Sequence, residues 1–355
     1  MRTAIVVPTC RQERFAAWRD AWLPYLGPGD ELIVVEDSPR RTIDAATKHH
    51  YSHAEIGELL GDASWIISKR DSAIRCFGFL LAWFGEYELV VTLDDDCLPT
   101  ECFASRTLGQ AYHEAMCHRS WQESVPGMRT RGIPYRNLGS VQSFLHMGLW
   151  SNVPDLDAIG ELYAIGSGKS SGGFVPPRGK RIVNDRQFFP MCGMNLAFRR
   201  ELIPAMYFPL MGEGQPFGRF DDIWAGVIAQ RICRHLRLLM SIGEPHVEHC
   251  RASDPFVNLK KEAPGVAAHE HLWRTVDECE LDGSDALDCV QEMSSHLRSQ
   301  SDEYVIQVGE ALATWASLLN DGSWLSTRAC HKMPLAVPSH SNGHHELAAA
   351  AKSSA

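Results

Sequence analysis

The chain has 355 residues, 45% hydrophobic and 22% charged, the make-up of a folded enzyme and not of a disordered, collagenous or fibrous protein. Its 34 Lys plus Arg against 44 Asp plus Glu leave a net charge of −10, which argues against a sequence-independent nucleic-acid binder. The longest nearly uninterrupted apolar stretch, Cys76 to Phe84, falls well short of the ~20 residues that cross a bilayer as a helix, so no membrane span is expected.

Met1 to Pro8 run straight into a strand-like segment without the apolar core and cleavage site of a secretory signal, and a cytoplasmic protein is expected. Short β-branched runs at Ala4 to Val7, Glu31 to Glu36, Ser64 to Ser68 and Glu88 to Leu93 alternate with helix-patterned stretches, clearest at Gln12 to Trp22 and Asp71 to Phe84. This order predicts an α/β fold with a mostly parallel central sheet flanked by helices. Ligands of open sheets gather at the carboxyl ends of the strands. That edge carries Pro8-Thr9-Cys10, Glu36-Asp37, Lys69-Arg70-Asp71 and Asp94-Asp95-Asp96.

Further along, a helix is expected from beyond Pro99 to about His118, with loops at Pro126 to Gly139 and Gly166 to Lys180. Apolar structure resumes at Phe188 to Phe198, Asp221 to Leu239 has helical spacing, and Asp285 to Leu319 reads as one or two amphipathic helices. The expected division is a main domain at 1–265, a C-terminal helical extension at 266–330 and a disordered tail at 331–355. The 11 cysteines are scattered without a C-x-x-C pair, which suggests reduced thiols and neither a disulfide framework nor a four-cysteine zinc site.

Asp94, Asp95 and Asp96 follow the buried-strand run Leu89 to Leu93. Unpaired, they would repel and raise one another's pKa; a hard divalent ion, Mn2+ or Mg2+, bridging them to a diphosphate would cancel that repulsion. An acidic, solvent-exposed turn is the alternative. His246 and His249 have H-x-x-H spacing with Cys250 adjacent, but no second ligand pair completes a zinc site. His249 fits equally an imidazole completing a manganese shell or a hydrogen-bonded histidine at a strand end. Asp221 and Asp222 stand at a helix start, where the helix dipole favours carboxylates with or without a catalytic role. Gly168-Lys169-Ser170 lacks the first glycine of a phosphate loop, Tyr163 standing there. Gly212 to Gly218 departs from a dinucleotide fingerprint at Phe217, so neither flavin nor NAD is expected.

Several segments carry a resemblance to a known family. Among them are Asp71-Ser72-Ala73 with Arg75-Cys76-Phe77-Gly78, Asp94-Asp95-Asp96-Cys97, Arg131-Gly132 and Gly148-Leu149-Trp150. Others are Phe189 to Phe198, Asp221-Asp222 with Trp224-Ala225-Gly226, and Pro255 to Glu262. They resemble the reversibly glycosylated polypeptides, which include the UDP-arabinopyranose mutases of plants, from about Ile5 to Glu262. The resemblance implies a glycosyltransferase A-type fold and a divalent metal at the aspartate triplet, with Asp94, Asp96 and His249 as its ligands here. It implies flavin-free interconversion of the pyranose and furanose forms of UDP-arabinose, and self-glycosylation of an arginine that maps onto Arg131. Asp221 and Asp222 would then carry the proton transfers. Asp37 would suit uridine, Arg70 and Arg75 the diphosphate, and Asp71, Asp94 and Asp95 would complete the UDP-sugar site. A transferase acting on a separate acceptor and a non-catalytic UDP-sugar scaffold are the competing readings. The expected partners are a UDP-sugar and further copies of the chain in a homo-oligomer. Met147 stands where the family commonly has histidine, and Gly166 to Lys180 looks rewritten.

Overall fold

The computed structural model describes residues 1–125, 127–169, 172–250 and 254–326; the tail expected at 331–355 lies outside them. Strand β1 (Thr3–Thr9) is buried at every position and lies parallel to β2 (Asp30–Glu36) on one side and β4 (Leu89–Leu93) on the other. Helix α1 (Gln12–Trp22) connects β1 to β2, and β3 (His49–Tyr51) extends the parallel sheet beyond β2. Helix α2 (His53–Leu60) starts at a capping box between Ser52 and Glu55. Helix α3 (Cys76–Phe84) covers the sheet closely: a Cβ on Gly78 would lie 2.4 Å from Val6 Cγ1, which excludes any larger residue there.

Beyond β4 come β5 (Cys97–Pro99), α4 (Leu108–Met116), β6 (Cys117–Arg119), β7 (Ser140–Asn152), α5 (Ala158–Gly166), β8 (Lys180–Ile182) and β9 (Asn195–Arg199). The chain continues with α6 (Asp221–His235), β10 (Leu239–His249), α7 (Pro255–Asp277), α8 (Ala286–Arg298), α9 (Glu303–Asn320) and α10 (Ser323–Ser326). Among the described residues, the ten-stranded sheet runs β3-β2-β1-β4-β9-β7-β10-β5, with β6 on β7 and β8 on β10. Strand β9 is antiparallel to β4 and β7, while β7 and β10 pair in parallel. The expected α/β architecture, a largely parallel central sheet between helices, is present.

Three local expectations give way. Ser64 to Ser68 is not a strand: Gly61–Ile66 winds into a 3₁₀ turn, with Ile66 and Ile67 buried. The edge position goes to the polar run His49–Tyr51, where His49 Nε2 lies 2.8 Å from Glu31. The helix after Pro99 begins only at Leu108, capped by Thr107, because Glu101–Phe103 forms a separate turn. Helix α6 stops at His235 and Leu239 already belongs to β10.

Helix α7, capped by Asp254 with Pro255 in its first turn, runs through residue 265, so the expected domain boundary falls inside a helix. Leu272, Val276, Val290, Leu312 and Trp315 join the same hydrophobic core as β1 and β4. Helix α9 is pinned by Trp315 Nε1 donating to Pro204 O at 2.9 Å and the Tyr304 hydroxyl donating to Leu210 O at 2.7 Å.

Candidate active site

The aspartate triplet turns sharply after β4, Cys97 N donating to Asp94 O at 3.1 Å, and the middle carboxylate turns inward while its two neighbours line the cleft. Asp95 points back into the protein. It is 3% exposed, accepts from Thr9 Oγ1 at 2.6 Å and from Arg11 Nε at 3.2 Å, and holds a second contact with Arg11 Nη2. Asp94 faces the cleft and pairs with Arg75 Nη2 at 2.5 Å. Asp96 also lines the cleft; burial and Asp94 raise its pKa against the pull of His249 and Arg11.

Arg75 is 1% exposed, and donates to Ser72 O at 2.9 Å, Thr92 Oγ1 at 2.9 Å and Gly193 O at 2.6 Å besides Asp94. With four of its N–H groups committed behind the wall, its geometry suits holding Asp94 in place and not the diphosphate contact expected from the sequence.

The end of β10 comes to the triplet through Cys250 N, which donates to Asp96 O at 2.8 Å. His249, 4% exposed, lines the same cleft, and its Nδ1 lies 2.9 Å from Val153 O. A carbonyl only accepts, so Nδ1 carries the proton and Nε2 keeps its lone pair, the tautomer a metal ligand needs. The structure shows the hydrogen-bonded histidine at a strand end, with Nε2 left outside that bond.

Across the cleft sits a group of carboxyls. Asp221 is buried and accepts from Ser72 Oγ at 2.8 Å; Asp222 accepts from Gly193 N at 2.8 Å. Their place in the first turn of α6 would favour the ionised form, but burial wins. Burial raises Asp221, opposed by Arg75 and the Ser72 hydroxyl, and burial with Asp221 and Asp155 pushes Asp222 well above the carboxylate range. Burial and Asp221 do the same to Asp71, which accepts from Ala73 N at 3.0 Å. Neighbouring carboxyls of unequal proton affinity can exchange and share protons.

The cleft encloses about 1100 Å³. Arg70 lines it, 80% exposed at its side chain, with its backbone N–H donating to Asp37 Oδ1 at 2.9 Å. Asp37 is also held by His53 Nε2 at 2.8 Å, at the end of β2. Arg131 is exposed in the loop before β7 and is not among the cleft-lining residues. Gly212, at φ +83°, approaches Lys69 O so closely that a Cβ would lie 2.3 Å away; the glycine-rich turn builds cleft wall. Met147 Sδ accepts from Cys192 N at 3.3 Å, so the residue that departs from the family's histidine supports a cleft-lining segment.

Sequence reasoning missed Arg11, Asp155, Lys260 and Lys261, all of which line the cleft. Lys260 and Lys261 lie in the Pro255 to Glu262 segment that carries the resemblance, and the charge of Asp155 raises Asp222. For Arg11, only its position two residues past the end of β1 could have signalled a role.

The family model for "Reversibly glycosylated polypeptide" matches residues 2–110 and 127–323. The chain belongs to that family. UDP-arabinopyranose mutase 1 of Arabidopsis thaliana is 34% identical over 341 residues, covering 88% of this chain and 90% of the relative. UDP-arabinopyranose mutase 1 of Oryza sativa subsp. japonica is 33% identical over 351 residues, 88% of each. Among solved structures, glucosyl-3-phosphoglycerate synthase from Mycobacterium tuberculosis overlaps with a TM-score of 0.37 at 14% identity, covering 85% of this chain and 81% of that one. A mannosyltransferase from Pyrobaculum calidifontis, in complex with GDP-mannose and Mn2+, gives 0.36 at 13%, covering 93% and 75%. Among the described residues of this family member, no helix is long and apolar enough to cross a membrane.

Proposed function

We propose that this chain is a UDP-arabinopyranose mutase of glycosyltransferase A type, metal-dependent and independent of flavin and NAD, that glycosylates itself on Arg131. One observation carries the reading: Asp71, Asp221 and Asp222, neighbouring carboxyls whose proton affinity burial raises, face one cleft with Asp94 and Asp96. Changing a six-membered ring for a five-membered one moves ring closure from one sugar hydroxyl to its neighbour. A proton must arrive on the oxygen that leaves the ring and depart from the one that closes it. Asp71, Asp221 and Asp222, grouped beside one another at the cleft, would supply the first and accept the second.

Carboxylate and imidazole are donors a hard divalent ion accepts, but Asp94, Asp96 and His249 do not form a ready cluster of ligand atoms among the described residues, so an ion would have to draw them together. Mn2+ or Mg2+ would be held by Asp96 and Nε2 of His249 with Asp94 beside them, since such ions take one or two carboxylates and complete their shell with substrate phosphates and water. When bound, the ion would neutralise charge on the diphosphate while its bond to the anomeric carbon breaks and, once the new ring has closed, re-forms. Asp37 would orient uridine; Arg70, Lys260 and Lys261 would meet the diphosphate; Asp95 would fix Arg11 at the cleft rim. Residues 1–265 would carry the site and the helices beyond would brace it. The reading puts the enzyme in the cytoplasm, with a UDP-sugar and a homo-oligomer as its partnerships.

Incubation with UDP-arabinopyranose and Mn2+, followed by chromatography, tests it. The furanose form at constant total UDP-sugar supports the mutase; free UDP without furanose overturns it in favour of a glycosyltransferase. The exposed position of Arg131 outside the cleft lining is the observation that favours transfer to an acceptor as the second reading.

A further inference from the structure

On the other side of β10 from His249, a second set of ligand-type side chains comes together. Cys102 Sγ, a Glu244 carboxylate oxygen and a ring nitrogen of His246 all lie within 4.8 Å of one another. None of the three lines the UDP-sugar cleft. Glu244 and His246 flank Pro245 on β10, where the pairing with β7 shifts register between Gly243 and Val247, and both side chains reach the same cluster. Cys102 sits on the turn Glu101–Phe103, and Thr100 ties that turn to the strand: its hydroxyl donates to His246 O at 2.6 Å and accepts from Cys102 N at 3.3 Å.

His246 is 7% exposed, and its Nε2 has no hydrogen-bond partner. A buried imidazole nitrogen without a partner has lost its water and gained nothing in return, a cost that a bound cation would remove. Cys102 and Glu244 are only partly buried, which leaves a path for an ion to enter.

The geometry points to a zinc site formed by Cys102, Glu244 and His246, with water as the fourth ligand. Thiolate, imidazole and carboxylate are the donors zinc takes, and three protein ligands plus water make its tetrahedral shell. Tetrahedral ligands at zinc distances stand roughly 3.5 Å apart, so the three atoms need to close only slightly. The thiolate separates this site from the oxygen-rich one in the cleft, because sulfur selects zinc over magnesium and manganese. A bound ion would cross-link the turn after β5 to β10, the strand that carries His249.

The test uses the full chain, stripped with a chelator and titrated first with Co2+ and then with Zn2+. Co2+ should produce the thiolate-to-cobalt charge-transfer band, displaced by one equivalent of Zn2+. Cys102→Ser should abolish the band, and Glu244→Gln should weaken Zn2+ binding about tenfold or more, both with unchanged far-ultraviolet circular dichroism. Cys10→Ser and Cys250→Ser should retain the band. Absence of a band in the wild-type chain, or a band that survives Cys102→Ser and disappears in Cys250→Ser, overturns the site. Should Cys102→Ser fail to fold, wild-type binding that Glu244→Gln leaves unchanged overturns it equally.

Discussion

Arg75 and Asp94 form a 2.5 Å ion pair in which the guanidinium is 1% exposed and the carboxylate 29%. The pair couples the turn before α3 to the end of β4 and holds one carboxylate of the triplet toward the cleft. Removing one partner of a buried pair costs more than the pair contributes, because the other charge is left without compensation. Arg75→Met should therefore destabilise the chain by about 3–5 kcal/mol and lower turnover. Urea unfolding checks this; a loss below about 1 kcal/mol, the worth of a surface pair, would contradict the supporting role.

Asp71 yields a pH dependence with a definite sign. Its native pKa is raised by burial and Asp221, whereas the unfolded chain's value lies near ~3.9. The stability it contributes is fully present below the unfolded value and is lost as pH rises through the native one. As pH rises from about 4 toward the raised native value, the wild-type chain should thus lose unfolding free energy relative to Asp71→Asn. A difference that stays flat across that range would remove the assignment.

Asp95 and Asp96, adjacent in sequence, should behave differently. Asp96→Asn should abolish stimulation by Mn2+ and lower turnover on the order of 10²-fold, since its carboxylate lines the cleft beside His249. Asp95→Asn should weaken the grip on Thr9 and Arg11, costing about 1–3 kcal/mol of stability, and keep the response to Mn2+. Steady-state kinetics across a Mn2+ series distinguish the two. Equal loss of the metal response in both would refute the division of labour.

Arg131→Ala should eliminate covalent labelling from a radiolabelled UDP-sugar. Because Arg131 is exposed outside the cleft lining, binding of the UDP-sugar should change less than twofold, about 0.4 kcal/mol. Mass mapping of the labelled chain is the check, and label retained at another residue would overturn the assignment.

By itself the sequence determined β1, α1, β2, β4 and the helices α8 and α9, because their apolar periodicity is a local property that buried neighbours only reinforce. It also determined that three carboxylates follow β4 at the ligand edge of the sheet, since strand direction and the αβ order set that edge. Tertiary structure decided what local pattern does not encode. His49–Tyr51 became a strand because β2 offered it a parallel edge, while the more β-like Ser64 to Ser68 was drawn into a turn. Arg75 supports a carboxylate because Thr92, Gly193 and Asp94 converge on it. Asp71 lies 150 positions before Asp221, yet the two share one buried environment in which each carboxyl raises the cost of ionising its neighbour. Such couplings depend on desolvation and distance, and both exist only once the chain has closed around the cleft.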